Sequence, residues 1–178
     1  MKNNFLVKQY ISDKKMSIRH NYLSEQFKDS KKIFKSINKT VKFNDFTLGR
    51  YVDLFEKEFC KHQKVKYAVG VGSGTDAIFL SLKALGIKDG DEVITPTYSF
   101  YATAGAIVTA GAKPVFVDVK DDLNIDENKI EKKITKKTKA IVPVHWSGRI
   151  CNMKKITKLA KKYNLQVVED ACHAILAH

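Results

Sequence analysis

Two segments, a glycine-rich turn and an acid that follows an apolar run, carry residue types suited to ligand chemistry. In the stretch Tyr67–Leu80, a short apolar run enters a turn and an apolar helical pattern follows; the turn holds Gly70, Gly72 and Gly74. The start of such a helix presents unpaired N–H groups and partial positive charge, which suit a phosphate. Far downstream, Asp170 follows a second apolar run. A phosphate cradle and a strand-end carboxylate on one sheet are what a phosphorylated aromatic cofactor needs.

The two segments need a scaffold that brings them together, and the pattern beyond residue 46 provides one. Strand-like apolar runs alternate with helix-like stretches, and the runs are Ala68–Val71, Glu92–Thr95, Pro114–Val117, Ala140–Val144 and Gln166–Val168. This alternation is typical of a parallel sheet covered by helices on both faces. We therefore predict an α/β fold with five parallel strands.

Local chemistry marks several helix ends. Gly86 and Gly111 each follow an apolar run, so both are predicted to end a helix. Asn152 is predicted to cap the helix that follows it. A short amphipathic helix is predicted to begin near Thr47 and to lead into the first strand.

The first 45 residues differ in character from the rest. They are rich in lysine, contain neither proline nor glycine, and have only scattered apolar positions. We predict that residues 1–45 form an N-terminal extension that packs elsewhere, for example on a partner subunit. Residues 46–178 are then the main domain.

Composition bounds the class of protein. A chain of 178 residues with 44% apolar content is long enough for one ordinary domain. It has no run of about 18 apolar residues, so no membrane span is predicted. The N-terminus lacks the features of a secretion signal. Cys60, Cys151 and Cys172 form no C-x-x-C pair, which favours free thiols in a reducing cytoplasm.

The net charge of +13 raises the question of nucleic-acid binding. Lysines supply nearly all of the positive charge, because the only arginines are Arg19, Arg50 and Arg149. Arginine provides the bidentate donor pair that phosphate and base recognition favour. The lysines are also spread along the chain. We therefore interpret the charge as biased residue usage and predict no nucleic-acid partner.

A metal site is not predicted either. The segment Asp122-x-Asn124-x-Asp126 begins like a calcium loop, but Glu127 replaces the required glycine and Lys133 stands where the bidentate glutamate belongs. The five histidines show no metal-ligand spacing. The glycine-rich turn matches neither the dinucleotide fingerprint nor a Walker loop. Taken alone, that turn leaves a phosphate site and a structural tight turn both open.

The order of the motifs is more informative than any one of them. The chain contains, in sequence, T-L-G-R-Y-V-D-L-F-E-K-E-F, Y-A-V-G-V-G-S-G-T-D-A, G-D-E-V-I-T-P-T-Y-S-F-Y-A-T, G-A-K-P-V-F-V-D-V, P-V-H-W-S-G-R and V-V-E-D-A-C-H-A. This series resembles the N-terminal part of the DegT/DnrJ/StrS-type nucleotide-sugar aminotransferases, over about residues 46–178. That family uses pyridoxal phosphate on the fold-type-I scaffold. The resemblance implies the parallel-stranded part of the large domain, a truncated α/β/α sandwich.

The resemblance also implies roles for individual residues. It assigns the cofactor phosphate to the turn of Gly74, Thr75 and Asp76, through backbone N–H groups and the threonine hydroxyl. Phe100 matches the aromatic residue that stacks on the pyridine ring, and Asp170 matches the carboxylate paired with the ring nitrogen. His173 stands where the family has Gln or His near the phenolic oxygen. His145, after a predicted strand, is structural or lies near the substrate.

The sequence departs from the family pattern at one decisive point. The lysine that binds the cofactor covalently lies, in the family, beyond the position matched by Asp170, and this chain has no lysine after Lys162. We predict that the chain alone is inactive. Implied partners are a nucleotide-linked keto sugar and an amino-acid donor, with a homodimer for the full-length enzyme. A sugar dehydratase on the same scaffold, with histidine in place of the lysine, stays open, as does a catalytically silent fragment.

Overall fold

The computed structural model of the chain describes residues 23–177. The chain divides into two compact units, with the division after Arg50. In the first unit, helix α1 spans Leu23–Gln26 and helix α2 spans Ser30–Phe43. Asn44 ends α2 in the left-handed conformation (φ 52°), and its N–H donates back to the last turn.

The predicted N-terminal extension falls only partly within this description. Helix α2 is amphipathic, and none of its residues is buried. Residues 1–22 lie outside the described residues. The boundary at residue 45 and the packing of the extension on a partner subunit therefore stay predictions.

The second unit contains the sheet and the helices around it. Its helices are α3 (Arg50–Gln63, which begins at the division), α4 (Gly74–Ala84), α5 (Tyr101–Thr109), α6 (Glu127–Ile130) and α7 (Met153–Tyr163). Its strands are β1 (Glu92–Pro96), β2 (Lys113–Val117), β3 (Thr138–Ile141) and β4 (Gln166–Val167). Short 3-10 turns span Glu131–Lys133 and Trp146–Gly148.

The four strands form one parallel sheet in the order β2-β1-β3-β4. Neighbouring residues of β1 point to opposite faces, as a pleated strand requires. Val93 packs with Leu82 and Ile107, from the helices α4 and α5 on one face. Ile94 packs with Ile130 and Ile156, from α6 and α7 on the other face. The prediction of a parallel sheet with helices on both faces is therefore confirmed.

The prediction of a fifth strand at Ala68–Val71 is wrong. A strand exists only where its backbone pairs with a neighbour, and no strand among the described residues lies beside this segment. Val69 is accordingly 79% exposed. Its backbone contacts a side chain instead, because the Gly70 N–H donates to Glu56 Oε1 at 2.6 Å. The run is apolar, as a strand would be, but it has no pairing partner within residues 23–177.

The predicted strand Ala140–Val144 is also shorter than expected, since β3 ends at Ile141. Pro143 has no N–H to donate, which limits the regular ladder. The chain stays beside the last strand nonetheless. Val144 forms an isolated parallel bridge with Asp170, whose N–H donates to the Pro143 carbonyl at 2.9 Å. This irregular end brings Asp170 into the sheet edge.

The predicted helix ends are confirmed where chemistry marked them. Gly86 and Gly111 follow the ends of α4 and α5 with φ angles of 78° and 95°, in the left-handed region that favours glycine. Asn152 caps α7, because its side chain accepts a hydrogen bond from the Lys155 N–H. The helix expected near Thr47 begins at Arg50.

Candidate active site

A cleft of about 240 Å³ lies beyond the carboxyl ends of the parallel strands, next to the N-termini of α4 and α5. Ligands bind at this end of parallel sheets because helix N-termini converge there. The lining residues are Gly74, Thr75, Ile78, Ser99, Phe100, Ala102, Thr103, Val144, Trp146, Asp170, Cys172 and His173. Five of the six predicted site residues are among them. The sixth, Asp76, is not.

The start of α4 forms one wall of the cleft, and Ser73 caps it. Ser73 Oγ accepts a hydrogen bond from the Asp76 N–H at 3.1 Å and donates to Asp76 Oδ2 at 2.9 Å. This reciprocal arrangement stabilises the first turn of the helix. Asp76 is therefore engaged in capping, which explains why its side chain does not line the cleft.

The residues between the cap and Asp76 have open hydrogen-bonding capacity. Among residues 23–177, no partner accepts from the backbone N–H groups of Gly74 and Thr75, and none bonds to the Thr75 hydroxyl. Three donors thus lie at the positive end of a helix that borders a cleft. Such an arrangement suits a phosphate group.

Asp170 forms the opposite side of the cleft, and its carboxylate is buried, with 7% exposure. Thr103 Oγ1 donates to Oδ2 at 2.8 Å, and the Cys172 N–H donates to Oδ1 at 3.3 Å. Ser99 Oγ lies 2.7 Å from Thr103 Oγ1 and extends this polar group toward α5. A buried carboxylate with few partners can bind a cationic ligand group strongly, because little water competes for it.

Cys172 lies between the two sides of the cleft: its thiol is close to Gly74, and its N–H donates to Asp170. A Cβ at Gly74 would lie 2.9 Å from Cys172 Sγ, so the glycine allows α4 to approach this thiol closely. Burial, together with the hydrogen bond and charge of Asp170, raises the pKa of the Cys172 thiol to about 11. The buried Cys151 has its pKa raised to about 11 as well, mainly by burial.

Slow alkylation of Cys172 is the first testable consequence. Only the thiolate reacts, so a pKa of about 11 leaves roughly 100- to 300-fold less reactive species at pH 8 than an ordinary thiol has. We expect the iodoacetamide rate at Cys172, followed by peptide mass spectrometry, to keep rising with pH up to about 11. The same chain in urea is the control. A rate at Cys172 that levels off near pH 9 in the folded chain would contradict this environment.

An aromatic wall closes the third side of the cleft. Trp146 packs edge-on against Tyr98 (ring centroids 4.7 Å apart) and against His173 (5.3 Å). His173 Nδ1 accepts a hydrogen bond from the Ser147 N–H at 3.4 Å, which assigns the ring hydrogen of neutral His173 to Nε2. Phe100 also lines the cleft and is 60% exposed, so one ring is available for stacking.

The backbone near Trp146 is shaped to hold this wall. Gly148 has φ 82°, and a Cβ there would lie 3.2 Å from the His173 carbonyl oxygen. Both the conformation and the close approach favour glycine. Asn124, which is fully buried, accepts a hydrogen bond from the Trp146 N–H at 3.0 Å. Asn124 is part of the segment that resembled a calcium loop, and it supports the cleft instead.

Known proteins resemble this chain in sequence and in fold. Residues 28–178 match the DegT/DnrJ/EryC1/StrS aminotransferase family. The chain belongs to this family. A pleiotropic regulatory protein of Geobacillus stearothermophilus is 44% identical over 86% of this chain and 42% of its own length. The dTDP-3-amino-3,6-dideoxy-alpha-D-galactopyranose transaminase of Aneurinibacillus thermoaerophilus is 43% identical over 81% of this chain and 40% of its own length.

Solved structures of family aminotransferases have the same fold. Bacillus subtilis NtdA with bound cofactor PMP superposes with a TM-score of 0.84 at 36% identity, over 92% of this chain and 38% of that one. A DegT/DnrJ/EryC1/StrS aminotransferase from Brucella abortus gives 0.81 at 31% identity, over 86% and 44% of the two chains. The chain thus spans about 40% of the length of the relatives it matches.

The cleft of this DegT/DnrJ/EryC1/StrS family chain fits the cofactor that such aminotransferases use, pyridoxal phosphate. The free donors of Gly74 and Thr75 match a phosphate, and the buried carboxylate of Asp170 matches a protonated ring nitrogen. Phe100 lines the same cleft and offers an aromatic face. The three chemical features of the cofactor each have a counterpart in one cleft.

His145 lies behind the cleft and does not line it. It is 2% exposed; its Nε2 lies 2.8 Å from Glu169 Oε2, and its Nδ1 accepts from the Cys151 N–H at 3.3 Å. Of the two roles left open for this residue, the contacts favour the structural one in this family member.

In the described part of the chain, no group of three or more His, Cys, Asp or Glu side chains is placed to hold a metal ion. The described helices are also too short or too polar to cross a bilayer.

Sequence reasoning missed several residues that this family cleft uses. Ser73 could have been found, because S-x-x-D before a helix is a capping signature. Thr103 lies in the first turn of α5 and bonds to Ser99, which precedes that helix, but two hydroxyl residues four positions apart are not a signal for a binding site. Cys172 and Trp146 gave no signal in one sequence, since only the fold brings them to the cleft.

Proposed function

We propose that this chain is the cofactor-binding part of an aminotransferase that acts on a nucleotide-linked keto sugar and takes its amino group from an amino acid, with glutamate as the donor. The observation that carries the proposal is the cleft in which Gly74, Thr75, Phe100, Asp170 and His173 come together. We propose amino-sugar and polysaccharide biosynthesis in the cytoplasm as the context, with a homodimer as the assembly of the full-length enzyme.

The names of the relatives support this substrate class. A dTDP-amino-sugar transaminase and a GDP-perosamine synthase of Caulobacter vibrioides are 43% and 44% identical to the chain. The spore coat polysaccharide biosynthesis protein SpsC of Bacillus subtilis is 44% identical. A Bacillus subtilis 3-oxo-glucose-6-phosphate:glutamate aminotransferase, 41% identical, names both a sugar and glutamate. Sugar chemistry is thus the feature these names share, and the keto group and the nucleotide are the finer parts of the proposal.

Within the cleft, each side chain has a task toward the cofactor. Bound pyridoxal phosphate supplies an electron-poor ring that takes up electron density from the substrate. Gly74 and Thr75 bind the phosphate, and Phe100 holds the ring by stacking. Asp170 holds a proton at the ring nitrogen through its negative charge. His173 donates from Nε2 to the phenolic oxygen.

The size of the cleft supports a substrate that lies mostly outside it. Its volume of about 240 Å³ is below the roughly 300–1,000 Å³ of typical small-ligand sites. The cleft of this chain is thus of a size for the cofactor, and a sugar linked to a nucleotide would extend past its rim. Trp146 and Tyr98 stand on the aromatic wall beside His173 and are the surface that such a substrate meets first.

The lysine that would bind the cofactor covalently is not supplied by a residue at this cleft, because no lysine lines it. We propose that the chain alone binds the cofactor without a covalent bond and carries out no amino transfer. That same lysine distinguishes an aminotransferase from a dehydratase on this scaffold, so the dehydratase remains the alternative. The relatives named above favour transfer.

Binding of pyridoxamine 5′-phosphate to the 178-residue chain tests the proposal directly. This form of the cofactor has an amine in place of the aldehyde, so the lysines do not react with it. Trp146 is the only tryptophan of the chain and lines the cleft, so its fluorescence reports occupancy. We expect saturable quenching by pyridoxamine 5′-phosphate and a much weaker response to pyridoxamine, which lacks the phosphate.

The controls separate the cleft from the lysine-rich surface. Inorganic phosphate should compete weakly for the same site, and quenching should survive at moderate salt because the donors are backbone groups at a helix end. Equal affinity for pyridoxamine with and without phosphate would argue against the cradle. An absence of saturable quenching in a folded chain would overturn the proposed cofactor site.

A further inference from the structure

We propose that Thr103 is a positioning residue for the cofactor-binding carboxylate of Asp170, with Ser99 setting the direction of its hydrogen bond. The proposal rests on the proposed function, because it gives Thr103 its role through Asp170. Thr103 is 2% exposed, and its hydroxyl lies 2.8 Å from Asp170 Oδ2. This is the only side-chain hydroxyl that bonds to Asp170 within residues 23–177.

The polarity of the hydrogen bonds follows from counting donors. An ionised carboxylate only accepts, so Thr103 must use its single hydroxyl hydrogen toward Asp170. Ser99 Oγ lies 2.7 Å from Thr103 Oγ1, and it must therefore donate to that oxygen. The chain of donors runs in one direction, from Ser99 through Thr103 to Asp170. If Thr103 turned its hydrogen toward Ser99, Asp170 Oδ2 would lose its hydroxyl donor.

Two fixed donors define the plane of the carboxylate. Thr103, on α5, donates to Oδ2. The N–H of Cys172, two residues after Asp170 in the chain, donates to Oδ1. The second bond is long, at 3.3 Å, so the threonine is the stronger of the two constraints. With both oxygens held, the remaining lone pairs of Asp170 face a fixed direction. A ring nitrogen bound in the cleft gains from this because the carboxylate does not reorient on binding.

The position of Thr103 also links two parts of the site. Ser99 and Thr103 bracket Phe100 at the start of α5, and all three line the cleft. The same helix start therefore presents the stacking ring and holds the partner of the ring nitrogen. The stacking ring and the hydroxyl that bonds to Asp170 therefore keep a constant relation to each other.

The simpler alternative is that Thr103 is a buried polar residue with a structural role alone. Thr95 provides a matched comparison in the same unit. It is 1% exposed, and its hydroxyl donates to the Val142 carbonyl at 3.1 Å, inside the sheet and away from the cleft lining. Valine has the same shape as threonine, so either substitution removes one buried hydroxyl and little else. Only the Thr103 hydroxyl bonds to Asp170.

The experiment measures pyridoxamine 5′-phosphate affinity by Trp146 quenching, and thermal stability without ligand, for the 178-residue chain and its variants. Thr103→Val should weaken affinity about tenfold, since it removes a hydrogen bond to a charged group. Thr103→Ser keeps the donor and should restore affinity to within about threefold of the parent. Thr95→Val should lower the melting temperature and leave affinity unchanged.

A double-mutant cycle tests whether Thr103 acts through Asp170. In the Asp170→Ala background, Thr103→Val should have no further effect on affinity. An equal loss from Thr103→Val in both backgrounds, or unchanged affinity in Thr103→Val alone, would overturn the positioning role and leave the cofactor site standing. Absence of saturable binding by the parent chain would overturn the cofactor site and this role together.

Discussion

Replacing Asp170 with asparagine is expected to weaken pyridoxamine 5′-phosphate binding by about 10- to 100-fold while the chain stays folded. The variant loses the charge that faces the ring nitrogen, and a hydrogen bond to a charged group is worth about 1.5–3 kcal/mol. The shape is kept, and the amide oxygen can still accept from Thr103 or from the Cys172 N–H. Affinity is measured by Trp146 quenching and folding by circular dichroism.

The charge effect has its own optical signature. An opposite charge favours the protonated form of the ring nitrogen and raises the pKa of that nitrogen. The ring nitrogen of the bound cofactor should therefore stay protonated to higher pH in the parent than in Asp170→Asn. The absorbance of the bound cofactor, recorded as a function of pH, measures this protonation. In an enzyme completed with the C-terminal part of a relative, turnover should fall by more than affinity. Equal turnover of variant and parent would rule out the electron-sink role.

Replacing Gly74 with valine is expected to abolish measurable retention of the cofactor. A Cβ at this position meets Cys172 Sγ at 2.9 Å, and valine adds two further methyl groups. The start of α4 must then move away from the strand end of Asp170, which separates the phosphate cradle from the carboxylate. Overpacking of this kind costs about 1–3 kcal/mol of stability. Quenching titrations and thermal melts measure the two effects.

Gly105 provides the matched control for this substitution. It lies within α5, and a Cβ there meets nothing within 4 Å. Gly105→Val should leave affinity unchanged and alter stability by less than about 1 kcal/mol. The valine side chain could prevent binding by contact with the Cys172 thiol or by contact with the bound phosphate, and the double variant Gly74→Val with Cys172→Ala distinguishes the two. Recovery of binding in the double variant identifies the contact with the thiol as the cause. No recovery identifies the contact with the phosphate. Tight binding by Gly74→Val itself would contradict the cradle.

Much of the fold could be predicted because local chemistry determines it. The glycines after α4 and α5 and the Asn152 cap act on residues close to them in sequence, and the apolar runs that become β1 to β4 are visible in the sequence itself. The prediction of a strand at Ala68–Val71 is wrong because a strand forms only beside a neighbouring strand, and the apolar run does not reveal whether one is present. Strand β3 is shorter than predicted because Pro143, within an otherwise apolar run, has no N–H to donate to a neighbouring strand.

The site shows the same division. Gly74, Thr75, Phe100, Asp170 and His173 were predicted from motif order and lie in one cleft, although their roles toward the cofactor stay predictions. The supporting residues were not predicted. Thr103 contacts Asp170 across 67 positions, and a single sequence carries no signal for such a pairing. Asn124 lies in a segment that resembles a calcium loop only at its start, and the sequence carries no signal for its hydrogen bond to the Trp146 N–H.

The strand order has a consequence for synthesis on the ribosome. Strand β1 is central, but its neighbours β2 and β3 both follow it in the chain, and β3 ends only at Ile141. At about 5–20 residues per second, the chain from Pro96 to Ile141 takes roughly 2–9 s to make. During that interval Val93 and Ile94, fully buried in the finished sheet, have no partner on one edge. The nascent chain is thus most prone to misassociation just before β3 emerges, and chaperone capture is expected to peak there.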